Sequence, residues 1–85
     1  MAEMEWGLVT HYFGHLGVAA VKLTGGGLAV GDILHFKGHT TDFAITVESM
    51  QLEHAAVQSA AKGDNVGLKV PDHVREHDKV YKVVP

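Results

Sequence analysis

The chain contains no cysteine. Disulfides, thiolate nucleophiles and cysteine-bound metals are therefore excluded, and a reducing cytoplasm is the expected setting. No apolar stretch approaches the ~20 residues needed to cross a bilayer, so no membrane contact is expected. Residues 1–13 lack a basic region followed by a long apolar run, and no signal peptide is expected. Positive charge is not in excess either: the formal net charge is −3. A polyanion such as nucleic acid would need a local basic patch to bind. Repeats, low-complexity tracts and linkers are missing as well.

What is present is an ordinary globular balance, 46% hydrophobic and 20% charged residues, which separates the chain from disordered sequences. Its 85 residues fit one domain, residues 1–85 with a core from about 6 to 84. A domain of this size buries only roughly 60% of its unfolded surface, so the whole chain must contribute to the core.

Glycine punctuates the sequence. Gly14 and Gly17, Gly25-Gly26-Gly27, Gly31-Asp32, Gly38 and Gly63-Asp64 mark turns between short runs rich in Val, Ile, Phe and Tyr. Six strands are expected: residues 5–13, 18–24, 33–37, a fourth beginning at Phe43, 65–70 and 79–84. Residues 14–17 are short enough to close a hairpin. Leu34 and Phe36, then Phe43, Ile45 and Val47, then Val66, Leu68 and Val70 alternate inward. The next apolar positions after Val47 are Met50 and Leu52, so the phase slips by one, which predicts a β-bulge near Glu48-Ser49. Residues 50–62 are rich in good helix formers, and Met50, His54, Val57 and Ala61 would share a helical face. A strand to about His54 and an irregular crossing to Gly63 is the preferred reading. The pattern implies an all-β fold, a small closed six-stranded antiparallel Greek-key-like barrel without free edges.

Four segments carry a resemblance. Leu28-Ala29-Val30-Gly31-Asp32 with its following strand, Val47-Glu48-Ser49-Met50, Gly63-Asp64-Asn65-Val66-Gly67, and residues 74–80 occur in an order and spacing that resemble domain II of elongation factor Tu and its relatives. His77 stands where that family usually has Gly. The residues concerned are structural: Gly31 and Gly63 would supply backbone angles costly to other residues, and Asp32 and Asp64 would bond their own turns. The resemblance implies a non-catalytic binding module that contacts tRNA, the ribosome or a translation-related protein. Gln51 stands where elongation factor Tu has a glutamate that contacts the aminoacylated end of tRNA. No GxxxxGK[ST] loop is present, so neither GTP binding nor any other cofactor is expected.

Candidate contact residues are Gln51 together with the late basic and aromatic group Lys69, Arg75, Lys79, Tyr81 and Lys82, where cations beside an aromatic ring could engage phosphates and bases. Asp72, Glu76 and Asp78 dilute that group, which also suits a mixed solvated surface. The alternative is a general protein-interaction barrel that has lost RNA binding. Trp6, Tyr12 and Phe13 would then plug a barrel end or meet a partner. A third reading is metal binding by His73 and His77, four apart, with Glu76 and Asp78 as oxygen ligands if the segment forms a helical turn. Ser49 and Ser59 lack any surrounding motif, and no enzyme activity is expected.

Overall fold

The computed structural model describes residues 2–84, which form ten strands and no helix. These are β1 Ala2–Phe13, β2 Val18–Leu23, β3 Leu28–Ala29, β4 Ile33–Lys37, β5 Asp42–Thr46, β6 Met50–Leu52, β7 Ala55–Val57, β8 Ser59–Ala60, β9 Asn65–Lys69 and β10 Lys79–Val84. Eight of them make one sheet in the order β5-β4-β10-β1-β2-β9-β6-β7, and β3 pairs with β8 apart from it. Every ladder is antiparallel. The β1–β2 hairpin closes as expected at residues 14–17, where Leu16 and Gly17 donate to the Phe13 carbonyl.

The core follows the period-two pattern. Val9, Val21, Leu34, Phe36, Met50, Val66, Leu68 and Val80 are fully buried in one cluster. Because β4 and β6, near opposite ends of the sheet, both feed that cluster, the sheet must curl around it. Burial of each such side chain stabilises the fold by about 1.5–3 kcal/mol. Phe36 is the largest of the fully buried side chains and stacks on Phe43 with ring centroids 5.2 Å apart.

The curl does not close the ladders into the six-strand cylinder expected. Strand β5 pairs only with β4, and β7 only with β6, so both lie at sheet edges. Beyond Val57 the chain turns to β8 and pairs with β3 instead of meeting β5. The helix-prone stretch, residues 50–62, holds three short strands, β6, β7 and β8: Glu53 and His54 adopt φ of 51° and 66° and reverse the chain between β6 and β7. Consecutive left-handed residues match the right-handed twist of a two-residue hairpin, and this tertiary demand overrides helix propensity.

The expected bulge at Glu48-Ser49 is a break in the ladder. Val47 and Met50 both point into the core as the phase slip requires. Val47 is held outside any strand because its N–H donates to the Asp32 carbonyl and its carbonyl accepts from Gly31. The bulges lie in β1, one between Glu5 and Gly7 and one between Val9 and His11. They bend the longest strand so that it can serve both β10 and β2.

Three turns share one design. At residues 29–32, 61–64 and 75–78 the aspartate N–H donates to the carbonyl three residues back, while its carboxylate accepts that same residue's N–H at 2.9, 2.9 and 3.0 Å. The third residue of each has positive φ: Gly31 101°, Gly63 93° and His77 74°. Each turn then clips a buried aliphatic residue by a reciprocal backbone pair, Gly31-Asp32 on Val47, Gly63-Asp64 on Leu23 and His77-Asp78 on Val9. A strand starts directly after each aspartate.

Candidate functional site

The outer face of the sheet carries two arrangements with chemical potential. The first spans β1, β4 and β5. Because β10 pairs with both β1 and β4, it brings Glu3 within reach of His35, 32 positions away. Glu3 Oε2 lies 2.7 Å from His35 Nδ1, and Asp42 Oδ1 lies 2.5 Å from Nε2. Lys37 Nζ approaches the other Glu3 oxygen at 3.1 Å and lies over the Tyr81 ring. Hydrogen bonds to Glu3 and then Asp42 raise the His35 pKa above the usual histidine value. Those from His35 and then Lys37 hold the Glu3 carboxyl below the usual carboxylate range. Glu3 also raises Lys37. Nothing in the local sequence points to this cluster, since its members meet only through a two-strand register.

The second is a groove of about 320 Å³. Its floor is a row in cross-strand register, Ala20 on β2, Gly67 on β9 and Gln51 on β6. The β1–β2 hairpin forms one wall, where Phe13 and Leu16 remain 44% and 64% exposed, and Glu53 and His54 stand among the other lining residues. The floor is low at its centre because Gly67 carries no side chain; a Cβ there would sit in ordinary contact with Val18 and Gln51. A second groove, about 570 Å³, runs between Ile45-Thr46 and residues 69–71, where β5 has no neighbour.

The six residues singled out from the sequence do not form one surface. Gln51 lies in the first groove and Lys69 in the second. Arg75 borders a shallow hollow with His11, Tyr12 and His73. Lys79 is taken by Glu5 at 3.0 Å, and Lys82 sits 3.5 Å from Asp32 and over the Trp6 ring. Tyr81 lies on the outer face beside Lys37. Pairing with acids removes much of the net field a polyanion would need.

Trp6 caps one end of the core. Its indole N–H donates to the Gly27 carbonyl at 2.8 Å, and its ring stands against Gly25 and Gly26. The segment expected to offer His73, His77, Glu76 and Asp78 to a metal is a β-turn instead of a helical one. His73 packs edge-on against Tyr12, and Asp78 is buried, its carboxylate accepting from the Thr41 hydroxyl at 2.6 Å. Among the described residues, no three His, Asp or Glu side chains converge on a common point. Neither Ser49 nor Ser59 has a side-chain hydrogen bond to an imidazole among them.

No family model matches the chain. A collagenase of Porphyromonas gingivalis is 38% identical over 72 residues, covering 84% of this chain and 20% of that protein. An uncharacterized protease of Methanocaldococcus jannaschii is 38% identical over 80 residues, covering 93% and 19% respectively. The chain thus spans about a fifth of the length of the curated relatives it matches. Two crystal structures of the C-terminal domain of a Geobacillus thermoleovorans protein assigned to the U32 peptidases superpose with TM-scores of 0.84 and 0.85, at 22% and 23% identity. They cover 91% and 94% of this chain, and 96% and 92% of that domain. The chain therefore shares the fold of that C-terminal domain.

These relationships correct the kinship with elongation factor Tu. The relatives found are proteases, and the fold neighbours are a peptidase domain. With that kinship go the translation-related function and the contacts with tRNA, the ribosome or a translation protein. The Gly-Asp turns that carried the resemblance are structural clips. Among the described residues, no helix is long and apolar enough to cross a membrane.

Proposed function

We propose that this chain is a non-catalytic accessory domain of a collagenase-type peptidase, holding polypeptide for a catalytic body that lies outside it. The carrying observation is the extent of the match: nearly all of this chain aligns with about a fifth of each protease. The remaining four-fifths is where this reading puts peptide-bond cleavage. The side chains here support it: among the described residues, His35 has both ring nitrogens engaged by carboxylates, which leaves it no free nitrogen to activate a nucleophile.

The groove floored by Ala20, Gly67 and Gln51 suits an extended polypeptide. Its low floor admits a backbone, Gln51 can hydrogen-bond a peptide group, and Phe13 and Leu16 offer apolar contact. Two measurements test the reading. The purified chain, incubated with denatured collagen or casein, is expected to release no fragments. Titration with denatured collagen is expected to shift the amide resonances of β2, β6 and β9, an effect lost in F13S/L16S. Proteolysis that co-purifies with the chain would overturn the non-catalytic assignment. Unchanged spectra at millimolar peptide would overturn the groove.

A further inference from the structure

We propose that Glu3, His35 and Asp42 form a proton-operated latch, closed when both ring nitrogens of His35 carry protons and released on the β5 side when one proton leaves. The geometry demands two donors from one ring. An ionised carboxylate only accepts hydrogen bonds, and a neutral imidazole has one N–H and one lone pair. Only the imidazolium satisfies Glu3 at Nδ1 and Asp42 at Nε2 together. After deprotonation one carboxylate faces a lone pair, and that contact becomes repulsive.

The contact that yields is the one to Asp42. Glu3 keeps Lys37 at 3.1 Å, and its side chain is 32% exposed. Among the described residues Asp42 makes no ion pair other than that with His35: Lys37, its cross-strand partner, is bonded to Glu3 and acts on Asp42 only at longer range, and the Asp42 side chain is 80% exposed, so water can take it readily. Asp42 begins β5, an edge strand held by the β4 ladder alone. Release of the latch therefore loosens the strand that walls the 570 Å³ groove. The two carboxylates approach opposite nitrogens of one ring, which rules out convergence on a shared ion. The latch is thus a proton device and not a metal site.

The charged and titratable groups around the ring set the working window. Glu3 and Glu5 come from β1, Lys37 from β4, Asp42 from β5, and Lys79 and Tyr81 from β10. The folded pKa of His35 is raised above 6.5, so its stabilisation is complete below pH 6.5 and disappears as pH climbs through the folded value. Glu3 is lowered from 4.5, so its share is present above pH 4.5 and disappears as pH falls through its folded value. The latch is fully closed between about pH 4.5 and 6.5.

Nuclear magnetic resonance on the full chain tests this. The His35 ring is expected to titrate with a midpoint above 6.5, and amide-exchange protection in β5, corrected for intrinsic rates at each pH, to drop roughly tenfold across that midpoint. Protection in β2 and β9 should not step there. Because Asp42 is exposed, D42A removes the latch without touching the core. It should lower the His35 midpoint and abolish the β5 step. A His35 midpoint at or below 6.5, no step in β5, or a step that survives in D42A would each overturn the latch.

Discussion

The turns at residues 61–64 and 75–78 have the same backbone hydrogen bonds and the same positive φ at their third residue, yet they are built from opposite resources. In the first, Gly63 takes its φ of 93° without side-chain cost, and the aspartate that closes the turn is only half-buried. In the second, His77 holds a φ of 74°, a region that costs an L-residue roughly 1–2 kcal/mol. What compensates is Asp78. Its buried carboxylate accepts from both Thr41 and the Arg75 amide, and it packs directly on Gly38 at the foot of the β4–β5 hairpin. One turn is permitted by its residue; the other is imposed by its surroundings.

Gly38 provides the most severe way to break the imposed turn. A Cβ there would fall on the Asp78 carboxylate, and Gly38 has no positive φ to complicate the reading. G38A is expected to destabilise the protein by about 3 kcal/mol, from overpacking and the loss of one buried and one half-buried hydrogen bond. Urea unfolding followed by the fluorescence of Trp6 measures it. A loss below roughly 1 kcal/mol would mean that the carboxylate can move aside and is not what fixes His77.

Truncation of the aspartates should separate the two turns. D78A leaves the buried Thr41 hydroxyl without its acceptor and is expected to cost about 2 kcal/mol. D64A gives up a carboxylate bond to the Ala61 amide at an exposed position, and should cost roughly 0.5–1 kcal/mol. Equal values by chemical denaturation would show that burial makes no difference and dissolve the contrast. G63A comes next: open space surrounds its Cβ, so the left-handed backbone alone sets the loss, about 1 kcal/mol.

The two glycine turns were legible in the residues themselves, and the histidine turn only through the resemblance. Gly31-Asp32 and Gly63-Asp64 announce positive φ and a self-bonded aspartate, whereas His77-Asp78 shows its turn only as the place where the resembled family usually has Gly, because its conformation is enforced by Gly38 and Thr41 from a hairpin far away in the chain. Strands β4 and β10 have the expected bounds, since their alternation is strong. Strands β3, β7 and β8 have two or three residues each, too few for a period to register, and the alternation that remains counts six strands, enough on its own to close a cylinder. The Glu3–His35–Asp42 cluster depends on β10 lying between β1 and β4, a topological fact with no local signature. The same turns explain the mistaken kinship. They specify how a strand starts and clips onto a core, and unrelated β-domains that need this geometry will write it with similar letters.

The smallest effect is the most discriminating. H77G removes the steric cost of the left-handed backbone, worth roughly 1–2 kcal/mol, and adds unfolded-state freedom worth roughly 0.4–1 kcal/mol against it. The balance favours the variant by about 0.5 kcal/mol, so a residue change to glycine inside an all-β protein should raise its stability. His77 is exposed and makes no side-chain hydrogen bond among the described residues, so nothing else is lost. Combined with D78A, the substitution should soften that variant's loss, since glycine holds the turn without being forced. If H77G instead destabilises the chain, the imidazole has a role in the folded state, and the histidine is there for its side chain and not in spite of its backbone.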